Sequence, residues 1–143
     1  MTASRHDPFR VDPTYKGIYS HGVQLPPSSR VLLVSGQVGV APDGSLQTGF
    51  AEQFEQAVLN VQAVLADAAM TLQDVTKLGI FLLRREDIAT AVDIRKRYFE
   101  GVRPAITTVL VAGLVSSDWL VEIEATAVQD AGDGRTPPRG SWV

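Results

Sequence analysis

Residues 101–128, GVRPAITTVLVAGLVSSDWLVEIEATAV, decide the fold. They read as two β-strands, 107–112 and 120–128, joined by a short turn. In the second strand the side chains alternate. Val121, Ile123, Ala125 and Ala127 fall on one face, and Glu122, Glu124 and Thr126 on the other. Two carboxylates at i and i+2 on a strand stand about 7 Å apart. Such a pair belongs either to a solvated face or to the acidic part of a site, and spacing alone leaves both open.

Upstream of this stretch, residues 86–100 predict a helix whose inner face carries Ile88, Val92 and Phe99. Asp87 stands near its start and Arg95, Lys96 and Arg97 in its later turns, where their charges complement the helix macrodipole. Gly101 is placed to end it in a left-handed cap. Residues 76–83, TKLGIFLL, predict a strand. The longest helix is expected over 51–69, where Phe54, Val58, Val61, Val64, Leu65 and Ala68 recur at three- and four-residue steps. Burying each large member is worth about 1.5–3 kcal/mol, so that stripe is core.

Before that helix, residues 31–40, VLLVSGQVGV, begin with four apolar residues that do not alternate, the pattern of a strand buried on both faces. Ala41-Pro42-Asp43-Gly44 is a turn, and Pro26-Pro27-Ser28-Ser29 a loop. Residues 17–25 can form a short strand with Tyr19 and His21 on one face and Ser20 on the other. Residues 1–16 are expected to be loosely ordered, 17–128 to form the domain, and the Gly/Pro-rich 129–143 to be a disordered tail. The order strand, strand, helix, strand, helix, strand, strand predicts an α+β protein: a mixed β-sheet with two helices packed on one face. Leu32, Val34, Phe81, Val109 and Val111 then leave an apolar sheet face too large for water, and a closed homo-oligomer is the simplest cover.

Composition removes several function classes. The 143 residues, 45% hydrophobic and 20% charged, suit one globular domain. The net charge of −3 without a basic cluster argues against nucleic acid or an anionic membrane as partner. With no cysteine there is no thiolate nucleophile or thiolate metal site. No apolar run approaches the length of a membrane span and the start lacks an apolar signal region, so the expected location is the cytoplasm. Gly36 and Gly39 in SGQVG do not follow dinucleotide or P-loop spacing and read as close packing. His6 and His21 have no partners at metal-ligand spacing, and no cofactor is called for. Lys16, Lys77 and Lys96 lack an apolar setting for Schiff-base work, and Ser35 with His21 lacks a third, orienting group.

The SGQ of residues 35–37 after an apolar run, the YFEG that closes the second helix, RPAITTVLVAGL and the final VEIEATAV together resemble the Rid (YjgF-type, RidA-like) family. The resemblance spans residues 17–128. It implies a chorismate-mutase-like α+β fold, a homotrimer, and small-molecule clefts between subunits. Members hydrolyse reactive enamines and imines to keto acids and ammonia, and others are described as ribonucleases or translation inhibitors. It further implies that Tyr19 is the cleft tyrosine, Glu122 the glutamate that orients the attacking water, and Ser35 the serine of the SGQ strand. Where imine deaminases carry an arginine after Pro-Ala to pair with the substrate carboxylate, Pro104-Ala105 is followed by Ile106. Val92 replaces a helix asparagine. The chain is identified as a member of an arginine-lacking branch. Arg103, three residues earlier, points to the opposite face of an extended segment and is a poor substitute.

Two functions from different classes follow. One is a hydrolase acting on a small imine or enamine that need not carry a carboxylate. In it Glu122 orients water, while Tyr19 and backbone amides near Ile106 and Thr107 steady the polar end, with His21 beside Tyr19 as a further acid or base. The other is a non-catalytic trimeric module that binds a metabolite in a cleft made apolar by Ile106 and Val92. RNA cleavage is the least favoured, for want of a basic groove.

Overall fold

Strand β6, Val121–Asp130, runs through the middle of the main sheet in the computed structural model, which describes residues 3–12 and 17–132. On one side it pairs antiparallel with β3 (Ser29–Val38), and on the other antiparallel with β4 (Val75–Leu82). Beyond β4 lies β5 (Ala105–Leu110), parallel to it. The parallel pair is joined through helix α2 (Ile88–Tyr98), as a parallel pair requires a crossover. Among the described residues the sheet order is β3-β6-β4-β5, a mixed sheet. Helix α1 (Phe50–Asp67) packs on β3, β6 and α2.

The α1 stripe is the centre of the core. Phe54, Ala57, Val58, Val61 and Leu65 are sealed, at the three- and four-residue spacing that puts them on one face. They meet Val121, Ile123, Ala125 and Ala127 of β6 together with Leu78, Ile80 and Leu82 of β4. Both helices therefore cover one face, and the alternation of residues 120–128 sets that face. Polar anchors hold the helix to the ends of the strands. Buried Gln53 donates from Nε2 to the Asp118 carbonyl (3.1 Å) and accepts from the Leu120 N–H (2.8 Å), fixing the chain just before β6. Asn60 Nδ2 donates to the carbonyls of Val38 (3.0 Å) and Val40 (2.9 Å). Gly39 lets α1 approach, since a Cβ there would lie 2.5 Å from Gln53 Cα. Gly101 turns the chain out of α2 at φ +74°.

The expected bare face exists and carries Phe81 and Val109, but Val31 and Leu33 stand on it in place of Leu32 and Val34. Val34 pairs with Ala125 and is buried under the helices, and Leu32 packs on the same core. The exposed partners are Val31 (51% exposed) and Leu33 (76%), joined by Phe81 and Val109. A run of four apolar residues gives no phase, so the register with β6 decides which of them turn outward.

Two further differences concern the N-terminal half and the tail. Within 17–25 only Gly22–Gln24 forms a strand, β2. It pairs antiparallel with β1, Ser4–His6, where no strand was expected. β1 is polar and exposed, and its pairing partner lies far along the chain, so no periodicity marks it. At the other end Gln129 and Asp130 continue β6, and Gln129 is buried with its Nε2 donating to the Ala69 carbonyl (3.2 Å). The remaining expectations for the tail, and for residues 13–16 with Lys16, lie outside the described residues. Among the described residues no helix is long and apolar enough to cross a membrane.

Candidate functional site

The sheet separates the expected site residues into two groups. Glu122, Ser35 and Thr107 belong to the bare side. Tyr19, Val92 and Ile106 line a cavity on the helix side.

Glu122 stands opposite Val38 on one neighbouring strand and Phe81 on the other. The β3–β6 register shifts between Val34 and Gln37, which leaves Ser35 and Gly36 as a bulge beside it. Gly36 gives Glu122 its room, because a Cβ at that position would lie 2.0 Å from Glu122 Oε1. The next acid repeats the device. Glu124 pairs with Gly79, where a Cβ would lie 2.8 Å from Glu124 Cγ. Two carboxylates on an apolar face are thus each laid over a glycine. A cleft of about 280 Å³ adjoins Glu124, lined also by Leu33, Ser35, Lys77 and Thr126 among others. Lys77 Nζ donates to Thr107 Oγ1 at 2.8 Å, so Thr107 is held on this side while its neighbour Ile106 faces α2.

The cavity between α2, β4 and β5 measures about 390 Å³. Ile18, Ile80, Val92 and Ile106 make much of its wall apolar, with Tyr19, Thr108, Arg95 and Lys96 as its polar and charged points. Tyr19 and His21 share a face as expected, their rings edge to face with centroids 5.3 Å apart. Ser20 between them is sealed: its N–H donates to the Pro104 carbonyl (3.0 Å) and its Oγ to the Arg103 carbonyl (2.9 Å). These bonds tie the tyrosine segment to the approach to β5. Asp7 completes the tie, accepting from the His21 N–H (2.9 Å) and from Arg103 Nη2 (2.6 Å). The His21 amide above all holds the Asp7 carboxyl below the usual carboxylate range; burial, the next largest effect, opposes it, and the hydrogen bond and charge of Arg103 add to the lowering. Arg103 is thereby engaged with Asp7 and the Tyr19 carbonyl (3.4 Å), and does not line the cavity.

Sequence reading missed Arg95. Placed with Lys96 and Arg97 as a charge near a helix end, it is 6% exposed and lines the cavity. The signal was available, since Ile88, Ala91, Val92 and Arg95 fall on one face of α2. Among the described residues no cluster of three or more histidines and acids could hold a metal ion.

Comparison with known proteins adds the following. Residues 10–129 match the sequence model of the Endoribonuclease L-PSP family. A mouse protein, 2-iminobutanoate/2-iminopropanoate deaminase, is 36% identical over 119 residues, covering 82% of this chain and 85% of that one. The crystal structure of YyfB from Yersinia pestis, of the Rid family and of unknown function, matches with a TM-score of 0.78 at 30% identity, over 90% of this chain and 100% of that one. Escherichia coli TdcF with bound serine matches with a TM-score of 0.66 at 31% identity, over 78% and 88%.

Proposed function

The chain belongs to the Endoribonuclease L-PSP, or Rid, family, and on that premise we propose that it is a homotrimeric deaminase that hydrolyses small imines or enamines in clefts closed between neighbouring copies. The relatives named as imino-acid deaminases support the chemistry. One observation carries the assignment of roles: Glu122 is given room by Gly36 on a sheet face that also exposes Leu33 and Val31. A carboxylate maintained on an otherwise apolar surface is costly to cover unless it does chemistry or finds a partner. A second copy packed there would bring its own Tyr19 cavity against Glu122, joining the halves that one chain keeps apart.

The reaction asks little of the protein. An enamine first becomes its imine by proton transfer to carbon. Water held by Glu122 then adds to the C=N carbon, the carboxylate takes its proton, and the nitrogen gains one. The carbinolamine that results loses ammonia and leaves a carbonyl. The Tyr19 hydroxyl at the other half of the cleft steadies the polar end, His21 orients its ring, and Ser35 with the Thr107 strand frames the opening.

The test is ammonia release from an imine generated in place by an amino-acid oxidase. Release faster than in buffer is expected from the wild-type protein, with Glu122→Gln bringing it back to the buffer rate. Equal turnover by that variant overturns the mechanism. The apolar wall made by Ile106 and Val92 favours a second reading, binding without turnover, which predicts ligand-dependent thermal stabilisation and no product.

A further inference from the structure

Two charged side chains are buried among the described residues, Asp87 and Arg95. Asp87 is satisfied, accepting from Arg84 at 2.8 and 3.0 Å. Among the described residues Arg95 has no hydrogen-bond or ion-pair partner. A guanidinium withdrawn from water without an acid is expensive, and burial pushes its pKa down. Its nitrogens are nevertheless not sealed, because among the described residues the only sealed and unpartnered side-chain nitrogen or oxygen is Arg103 Nε. The opening that Arg95 lines is the cavity that also holds Tyr19, Val92 and Ile106. Among the described residues no aspartate or glutamate lines that cavity.

We propose that Arg95 is the anion-binding residue of this cavity, fixing a carboxylate of the substrate from helix α2. The inference rests on the hydrolase reading for the identity of the substrate, and for its charge on Arg95, the buried one of the two cations, Arg95 and exposed Lys96, that line the cavity. Ile106 denies the cavity a cation from strand β5, and Arg95 supplies one from the helix across it. The chemistry of the wall narrows the ligand. A planar guanidinium matches a carboxylate through two parallel N–H donors. About 390 Å³ bounded by Ile18, Ile80, Val92 and Ile106 suits a short aliphatic chain. The substrates are then small 2-imino acids or their enamines, oriented with the carboxylate toward α2 and the C=N carbon toward the open side of the cleft. Arg95 is a specificity-determining residue rather than a proton carrier.

Binding and turnover test this separately. The probes are 2-oxobutanoate and its neutral amide, titrated by calorimetry against the full chain, with inorganic phosphate as a third arm. The wild-type protein is expected to bind the keto acid at least about tenfold more tightly than the amide, since a hydrogen bond to a charged group is worth that much. Arg95→Met should remove the preference while leaving amide binding unchanged, and Arg95→Lys should keep part of it. With the imino acid as substrate, Arg95→Met should raise KM about ten- to a hundredfold with kcat less affected, and a carboxylate-free imine should not notice the change. Unchanged keto-acid binding in a folded Arg95→Met overturns the proposal. So does a loss of self-association alone, which would mean that Arg95 only balances an acid of a neighbouring copy. Phosphate binding as tight as the keto acid would make it a general anion site and overturn the carboxylate assignment. Keto-acid binding that depends on Arg95, without any turnover, would leave this proposal standing and remove the hydrolase reading. Turnover of neutral imines that depends on Glu122, without keto-acid binding, would do the reverse.

Discussion

On the helix-covered face of the sheet, Val121, Ile123, Ala125 and Ala127 are at most 5% exposed; on the bare face Leu33 and Val31 stand largely open, with Glu122 and Glu124 on the same surface. One strand, β6, makes both by alternation, so backbone geometry is common to the two faces. What differs is the kind of complementarity. Under helix α1, residues are chosen for volume, because Phe54, Val58 and Leu65 are sealed in the core against the sheet. On the bare face they are chosen for clearance. Gly36 and Gly79 leave out side chains where Glu122 and Glu124 lie. The covered face stabilises the single chain, and on the proposed function the bare face is where a neighbouring copy packs.

The largest expected effect separates the faces most sharply. Phe54→Ala should lower unfolding stability by about 3–5 kcal/mol, measured by urea denaturation, as a fully buried aromatic leaves a cavity that the helix cannot close. Leu33→Asp should do the opposite kind of damage. Far-UV circular dichroism is expected to stay native, while sedimentation shows the assembly falling apart at concentrations where the wild type holds. The burial of one leucine, about 1.5–3 kcal/mol per contact made, sets the scale. Should Leu33→Asp unfold the chain without changing its association, the two faces would not differ in the way described.

Gly36→Ala probes clearance itself. The clash is with the far end of a flexible glutamate, so Glu122 can swing aside and stability should fall by less than about 1 kcal/mol. On the proposed mechanism turnover should suffer more, by about tenfold or beyond, because a displaced carboxylate would no longer hold water at the reacting carbon. A variant with native turnover would show that the position of Glu122 is not what Gly36 protects.

How much of this was visible in the sequence follows from the same contrast. Periodicity carried the covered face: the α1 stripe and the alternation of β6 both report burial, and burial is what a repeating apolar pattern encodes. Fold class, both helices and the acids of residues 122 and 124 followed. The bare face was harder. Phe81 and Val109 follow from their strands, but on β3 the pattern points to Leu32 and Val34 instead of Val31 and Leu33, because the phase of an unbroken run is set by pairing across the sheet. The roles of Gly36, Gln53 and Asn60 are each fixed by a partner far along the chain, and composition says nothing of partners. Arg95 was legible from its helix face, yet a charge next to two other charges reads as surface until the cavity is seen.

The smallest effect lies where the two regions meet, at the tie that holds the Tyr19 segment to the approach to β5. Asp7 titrates below its usual range in the folded chain, so its contribution is present above the ordinary aspartate value of about 3.9 and is lost as pH falls through the lower, folded value. Protonation weakens acceptance from the His21 N–H and removes the charge facing Arg103. The protection factor of the His21 amide, its exchange rate relative to the unstructured chain at the same pH, should therefore fall in acid for the wild type, and Asp7→Asn should show the lower protection already at neutral pH. The pair is partly exposed and solvent-screened, so global unfolding should hardly move. The consequence belongs to the cavity instead. With the tie loosened, Arg103 loses a reason to stay clear of the Tyr19 side, and KM should rise slightly while kcat holds. If exchange at His21 is the same in Asp7→Asn as in wild type at both pH values, the Ser20 bonds to residues 103 and 104 alone position Tyr19, and the covered side needs no charge to shape its cavity.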